Sequence, residues 1–336
     1  MRVLELFAGI GACSKALKRI GIDVEIVDAV EIDKYAVKSF NAIHGTEFSI
    51  SDIKEWDKDL KDIDLITHGS PCQDFSVAGK QAGGDLGSGT RSSLMYETIR
   101  IVGKLRPKYV LWENVKNILS KKHKHNFKAY IETMKVLGYN SYYKVLDAKD
   151  YGVPQHRERV YTVSIRKDID TGYEFPEPME LKLRLKDILE DEVDEKYYLN
   201  DTQIERIKTT TYNVGKTRIQ EKDYCDTLCA RDWKDPKCVQ IGKLDIKGHD
   251  CVKRVYSKEG ISPTLTDMQG GNRQPKIVTD LKIRKLTPKE CWRLMGFDDE
   301  DFEKAQAVPT SNTQLYKQAG NSIVVNVLEK IFKNLF

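Results

Sequence analysis

The chain is 336 residues long, with 40% hydrophobic residues, 32% charged residues and a formal net charge of +4. That length holds one large domain or two modest ones with well-buried cores, and the composition is that of an ordinary soluble globular protein. No apolar run approaches the roughly 18–20 residues that cross a bilayer, which excludes a helical membrane protein. The N-terminal MRVLELFAGIGAC opens like a signal peptide. Glu5 interrupts its apolar run, no small-x-small cleavage site follows, and Gly9 and Gly11 fit a turn, so a cytosolic protein is expected. Seven cysteines, at 13, 72, 225, 229, 238, 251 and 291, are odd in number and irregular in spacing. This argues for free thiols over a disulfide framework. Cys225, Cys229, Cys238 and Cys251 lack the C-x2-C pairs of a zinc site, and no metal is expected.

Taken in chain order, strands are predicted at 3–7, 24–32, 65–67, 109–113, 140–147 and 159–165, with helices at 14–20, 34–41, 95–105 and 127–137. Strands alternating with helices imply βαβ units and a mainly parallel sheet with helices on both faces. Ligands of such sheets sit beyond the carboxyl ends of the strands, where Phe7, Glu31, Cys72 and Glu113 fall. Residues 116–128 hold five lysines and two histidines without an acid. Basic residues recur over 216–289, while 187–201 is acidic. Each run alone reads as a solvated face; two separated basic regions favour a nucleic-acid groove.

After about Arg166 the rhythm breaks, and up to about Leu281 the chain is richer in Tyr, Thr, Lys and Gly. DTLCARDWKDPKCV (226–239) echoes PTLTDMQGGNRQPKIV (263–278), by chance or as related hairpins of one small domain. Helical patterns return at 288–295 and 322–335. The last carries Ile323, Val324, Val327, Leu328, Ile331 and Leu335 on one face, with Gly320-Asn321-Ser322 as its turn and N-cap. Its expected partner is the exposed flank of the N-terminal sheet.

Four stretches carry chemistry. LELFAGIGACSKAL (4–17) sets a glycine turn between a strand and a helix but completes neither G-x-G-x-x-G nor a P-loop, the features that serve phosphates. An adenosine without phosphate needs close backbone approach, a helix N-terminus for a carboxylate and an acid for its ribose. Glu31 supplies the acid, and Asp52 stands ready for the adenine amino group. S-adenosylmethionine meets that description, although an unoccupied α/β turn reads the same way in isolation. A lone cysteine is usually a small buried hydrophobe. Cys72, by contrast, lies in a polar, glycine-rich loop behind Pro71, which fixes the backbone and helps aim the sulfur. A thiol of pKa about 8.5 needs local activation to act as a nucleophile. Glu113, after the apolar run 109–112, either caps the next helix or holds a carboxyl near a substrate. In Gln155-His156-Arg157-Glu158-Arg159 two arginines alternate. A surface salt bridge accounts for one; two beside Cys72 and Glu113 look like a substrate clamp.

In this order, these pieces closely resemble the cytosine-C5-specific DNA methyltransferases of bacterial and phage restriction-modification type. FAGIG (7–11), SPCQ (70–73), ENV (113–115), QHRER (155–159), RKLTPKECWRLMGF (284–297) and GNSIV (320–324) each look like one of the family's ordered blocks. The resemblance implies a Rossmann-like, S-adenosylmethionine-dependent α/β fold: a mixed sheet with helices on both faces, plus a smaller, mostly β target-recognition domain. Residues 1–166, completed by 284–336, would form the catalytic and cofactor domain, and 167–283 the recognition domain. Residues 284–319 would be a return segment, and 320–336 a helix packing back on the catalytic domain.

The implied activity is methyl transfer from S-adenosylmethionine to C5 of a cytosine flipped out of duplex DNA at a specific sequence. The Cys72 thiolate would add to C6 while Glu113 holds or protonates N3, making C5 nucleophilic. Arg157 and Arg159 would contact the base, whose extrusion costs a few kcal/mol. Phe7, Ala8, Gly9, Gly11, Glu31, Ile32, Asp52, Ile53, Pro71, Leu94, Asn321 and Ser322 match cofactor-pocket positions, with Ile32 where the family often has an aromatic residue. Ser76, Gln81 and Arg91 match the mobile active-site loop. Thr264, with Leu265, matches a Thr-Leu element beside the flipped base. The loop after it offers Gln269, Asn272 and Arg273 for bidentate base contacts, or is an ordinary glycine hairpin. The implied setting is a monomer in bacterial or phage-infected host cytosol, away from membranes, acting on duplex DNA. In restriction-modification pairs a cognate endonuclease acts separately. A tRNA cytosine-C5 methyltransferase of the same fold and a non-catalytic DNA-binding homologue are the alternatives; intact Cys72, Glu113 and Arg159 speak against the latter.

Overall fold

The computed structural model describes residues 1–71, 75, 83–85, 88–199, 240–243, 254–265, 274–279 and 282–336. Strands β1 (Arg2–Leu6), β2 (Glu25–Val30), β3 (Leu65–His68), β4 (Tyr109–Val115), β5 (Tyr139–Asp147) and β6 (Glu158–Arg166) form one sheet in the order β2-β1-β3-β4-β6-β5. The first four run parallel to one another, and β6 runs antiparallel to both β4 and β5.

Strand periodicity decides what each face meets. In β1, Val3 packs with α1 (Ala12–Arg19), while Leu4 and Leu6 pack with α3 (Met95–Leu105) and α4 (Lys124–Val136). In β4, Leu111 joins the first cluster, and Val110 and Trp112 join the second. Helix α2 (Lys34–His44) starts where the Asp33 carboxylate accepts from the N–H groups of Tyr35 and Ala36, and ends at the left-handed Gly45.

Among the described residues, four further helices follow: α5 (Pro288–Arg293), α6 (Asp299–Ala307), α7 (Asn312–Asn321) and α8 (Val325–Leu335). The apolar stripe of α8, with Val327, Leu328, Ile331 and Phe332 buried, lies against α1, and Arg19 meets Glu329 at 3.0 Å. Its apolar cluster holds α1 together with Val3, Leu65, Leu111, Val163 and Ile165 of the sheet, and Phe336 meets the Tyr109 ring of β4 at 5.1 Å, so α8 packs on the sheet with α1 beside it. Ser322 does not cap it. α7 is an additional helix, capped by the Ser311 hydroxyl, that runs through Gly320 and Asn321. Ser322 closes α7, and Val324 takes the N-cap position of α8.

A second sheet, ordered β10-β9-β8-β7, consists of β7 (Gln240–Lys243), β8 (Arg254–Ser257), β9 (Lys276–Thr279) and β10 (Lys282–Lys285). Tyr256 and Ile277 join the cluster that holds Leu286 and Trp292. The 226–239 half of the sequence echo lies outside the described residues. No helix among the described residues is long and apolar enough to cross a membrane.

Candidate active site

The chain leaves β1 through a tight turn. Phe7 (φ 52°), Gly9 (φ 56°) and Gly11 (φ 80°) all occupy the left-handed region, which is strained for an aromatic residue. A Cβ on Gly11 would overlap the rings of His44 and Phe40, whereas one on Gly9 would point into open space. Behind the turn, burial pushes the His44 imidazole down to about 4, so the neutral ring donates to the Ile10 carbonyl at 3.2 Å.

Glu31 follows β2 and is oriented by two backbone donors: Gly9 N–H reaches Oε2 at 3.0 Å, and Asp33 N–H reaches Oε1 at 2.8 Å. Burial raises its carboxyl above the ordinary range against the pull of those donors. Ser51 N–H donates to the Glu31 carbonyl at 2.9 Å, which brings Asp52 and Ile53 to the same edge. Arg100 fixes them from below by donating to the Ile53 and Trp56 carbonyls. Ile32 stands alongside with 65% of its surface exposed. Lys317 on α7 pairs with Asp33, and Gln318 donates to the Tyr35 carbonyl and the Ser39 hydroxyl. Asn321, one turn further, is exposed at the end of α7. Ala8 completes the turn by donating to the Val30 carbonyl, and Leu94 packs on the core at the head of α3.

The second half of the site lies at the ends of β3 and β4. Trp112 Nε1 donates to Ser70 Oγ at 3.0 Å, and Asn114 Nδ2 donates to the Ser70 carbonyl at 3.3 Å. The two neighbours of Glu113 thus hold the turn that leads into Pro71. A Cβ on Gly69 would stand 3.8 Å from Glu113 Oε2 and 3.7 Å from Ile323 Cδ1. The other carboxylate oxygen, Oε1, meets Arg159 Nε at 3.0 Å, with the two side chains 12% and 14% exposed respectively. Cys72 comes directly after Pro71 and lies outside the described residues, as do Ser76, Gln81, Gln269, Asn272 and Arg273. Arg91 is exposed at the start of a 3-10 turn, Arg91–Leu94. Beneath the site Glu5 is buried, its Oε1 accepting from Ser14 N–H at 3.0 Å, and burial pushes its carboxyl up to about 7. Burial also pushes the Cys13 thiol well up, so it stays protonated and inert.

Arg157 departs from the expected clamp. It is 4% exposed, and its guanidinium donates to the carbonyls of Leu265 (2.8 Å), Gly320 (3.1 Å) and Ser322 (3.0 Å). The physical reason is position: residue 157 precedes β6, so its side chain drops into the seam between 262–265 and 320–322, while Arg159 within the strand reaches Glu113. Thr264 lies in the same seam, its hydroxyl donating to the His156 carbonyl at 2.6 Å. His156 Nδ1 meets Asp147 at 2.6 Å, and that carboxylate raises the imidazole pKa. Sequence reasoning passed over Ser70, Asn114 and Asp33 as positioning groups. Of these only Asp33, an acid directly before a helical pattern, carried a readable signal.

The sheet order, the glycine turn and the oriented acid after β2 define the class: an S-adenosylmethionine-dependent methyltransferase fold. Residues 1–336 match the C-5 cytosine-specific DNA methylase family, to which the chain belongs; it is a DNA cytosine-C5 methyltransferase. The orphan methyltransferase M.SPBetaI of Bacillus phage SPbeta is 35% identical, the match covering 100% of this chain and 97% of that protein. The type II methyltransferase M.HhaI of Haemophilus parahaemolyticus is 36% identical, covering 100% and 94%. In fold, the crystal structure of the S. pombe Dnmt2 methyltransferase superposes with a TM-score of 0.69 at 20% identity, covering 99% and 97%.

Proposed function

We propose that the enzyme methylates C5 of a cytosine flipped out of duplex DNA at a specific sequence, with Cys72 as nucleophile and Glu113 engaging N3. The observation that carries this reading is the Glu113–Arg159 pair at 3.0 Å, set against Gly69, three residues before Cys72. Cys72 Sγ bonds to C6, and the displaced electron pair makes C5 nucleophilic. Glu113 steadies the ring at N3, while Arg159 fixes the Glu113 carboxylate and contacts the base. Once C5 carries the methyl group, loss of its proton drives the Sγ–C6 bond to break, which restores the aromatic ring and the free thiol.

The residues present fit S-adenosylmethionine, which when bound supplies the methyl group. Glu31, pinned by two N–H donors, has lone pairs left for ribose hydroxyls. Ile32 offers an exposed apolar side chain to an adenine face, and Gly9 leaves open space where any side chain would intrude. Residues 1–166 and 284–336 serve as the catalytic unit and 167–283 as the recognition unit, with β10 carrying its last strand to Lys285. The enzyme works as a cytoplasmic monomer; where the cell holds a cognate endonuclease, it is a separate protein.

Methyl transfer from labelled S-adenosylmethionine into unmethylated plasmid DNA tests the reading. Cys72→Ala is expected to abolish transfer, and the unaltered enzyme to form a denaturation-resistant adduct on DNA containing 5-fluorocytosine. Transfer retained in Cys72→Ala would overturn the mechanism, and label entering tRNA but not duplex DNA would overturn the substrate.

A further inference from the structure

Residues 155–157 grip two others with unusual completeness. Gln155 Oε1 accepts from Leu265 N–H at 3.1 Å, and Arg157 Nη1 donates to the Leu265 carbonyl at 2.8 Å, so side chains hold both backbone groups of one buried residue. Thr264 donates to the carbonyl of the intervening His156, and His156 N–H donates to the Ser262 carbonyl. Gln155 is itself anchored by donating to the Leu294 carbonyl at 2.8 Å. Arg157 has a second set of partners in the Gly320 and Ser322 carbonyls. Those residues end the helix whose Lys317 and Gln318 close on Asp33, Tyr35 and Ser39, next to Glu31. A guanidinium is planar and stiff, and a buried one must keep its donors matched. A shift of either segment therefore tilts the fork and loosens its bonds to the other.

We propose that Arg157 is a positioning residue that couples the Thr264-Leu265 turn to the cofactor edge of the sheet, so that DNA and cofactor binding reinforce one another. The proposal rests on the reading that this turn lies beside the target base. Coupling of this kind is reciprocal: whatever one ligand gains from the other, the other gains in return. Gln155 serves only one side of the couple, since its bonds reach Leu265, Leu294 and Met295 but neither Gly320 nor Ser322.

The test compares Arg157→Lys and Gln155→Met with the unaltered full-length enzyme. The readouts are kcat, KM for labelled S-adenosylmethionine, KM for unmethylated plasmid DNA, and the Kd of S-adenosylhomocysteine with and without that DNA. Lysine keeps the charge but cannot reach three carbonyls at once. In Arg157→Lys both KM values are expected to rise about tenfold, the size of one lost charged hydrogen bond, with kcat changing less than about threefold. S-adenosylhomocysteine is expected to bind the unaltered enzyme more tightly when DNA is present, and Arg157→Lys equally either way. Gln155→Met is expected to raise the KM for DNA alone, and this result decides the matter if Arg157→Lys does not fold. A kcat loss of about a hundredfold at unchanged KM would make Arg157 a base contact and overturn the proposal. So would a variant with lowered Tm but intact kinetics and linkage, or equal rises of both KM values in Gln155→Met. The S-adenosylhomocysteine measurements involve no methyl transfer, so their outcome is separate from the fate of the Cys72 reading.

Discussion

The two sheets are held to the rest of the molecule by different forces. In the six-stranded sheet, Val3, Leu4, Leu65, Ile66, Val110 and Leu111 are at most 1% exposed, on both faces. Each buried side chain of that size contributes about 1.5–3 kcal/mol, so apolar burial is the main force on this sheet. The four-stranded sheet has strands of four residues and a smaller share of the core. Beside the apolar contacts of Tyr256 and Ile277, its surroundings meet the frame at polar points. His156 N–H donates to the Ser262 carbonyl, Ser262 N–H to the Pro154 carbonyl and Leu286 N–H to the Pro275 carbonyl, and Arg284 at the end of β10 forms a buried pair with Glu290. A frame fixed by area keeps Glu113 and Arg159 in place whatever happens at the periphery. A periphery tied at individual hydrogen bonds can change one residue at a time.

The largest expected effect tests that contrast at its strongest polar point. Glu290 accepts from Arg284 Nη1 and Nη2, from Thr287 N–H and from Glu190 N–H, and both members of the ion pair are at most 2% exposed. Glu290→Gln leaves the Arg284 charge buried and turns an amide NH2 toward donors, at an expected cost of about 3–5 kcal/mol in urea unfolding. Hydrogen exchange shows where the loss falls: the amides of β8 to β10 are expected to lose protection before those of β1, β3 and β4. A single concerted loss across both sheets would break the contrast.

The same difference explains what could be read in advance. The six strands of the large sheet and helices α1 to α4 fall within a few residues of their predicted places, and α3 matches residue for residue, because burial leaves periodicity in the sequence. α6 and α7 escaped because each is short and buries few apolar residues, too few to leave a clear period: Phe302 and Ala305 in α6, and Leu315, Tyr316 and Ala319 in α7, with ties from Lys15 to Asp301 and from Lys317 and Gln318. Glu113 and Arg159 were legible because both sit within strands, where alternation fixes direction. The direction of Arg157 was not, because its acceptors lie more than a hundred residues away in sequence, at Leu265, Gly320 and Ser322.

A smaller effect comes from a buried acid inside the large sheet. Glu5 is 2% exposed, and burial raises its pKa from 4.5 to about 7. The folded state therefore holds the proton more tightly than the unfolded chain does. Its contribution is fully present below about pH 4.5, is lost as pH rises toward 7, and does not change further above that. Glu5→Gln keeps an oxygen for Ser14 N–H and has nothing to ionise. It is expected to be about 3 kcal/mol more stable than the unaltered enzyme at pH 8, with the gap closing toward pH 5. A gap independent of pH would mean that Glu5 does not titrate in this range.

The finest distinction sets two glycines against each other. Gly9 (φ 56°) and Gly45 (φ 68°) share the left-handed conformation, and neither has an atom within 4 Å of the place a Cβ would occupy. Alanine at either position should therefore cost the same backbone strain, about 1–2 kcal/mol, and lower Tm by a similar amount. Their surroundings differ. Gly45 only ends α2, while Gly9 lies over the Glu31 carboxylate that its own N–H holds. If the open space at Gly9 receives the cofactor, the added methyl group meets the ligand there, and KM for S-adenosylmethionine should rise about tenfold in Gly9→Ala and stay unchanged in Gly45→Ala. Equal KM values in the two variants would show that the space above the turn is plain solvent, and the cofactor would have to be sought on another side of Glu31.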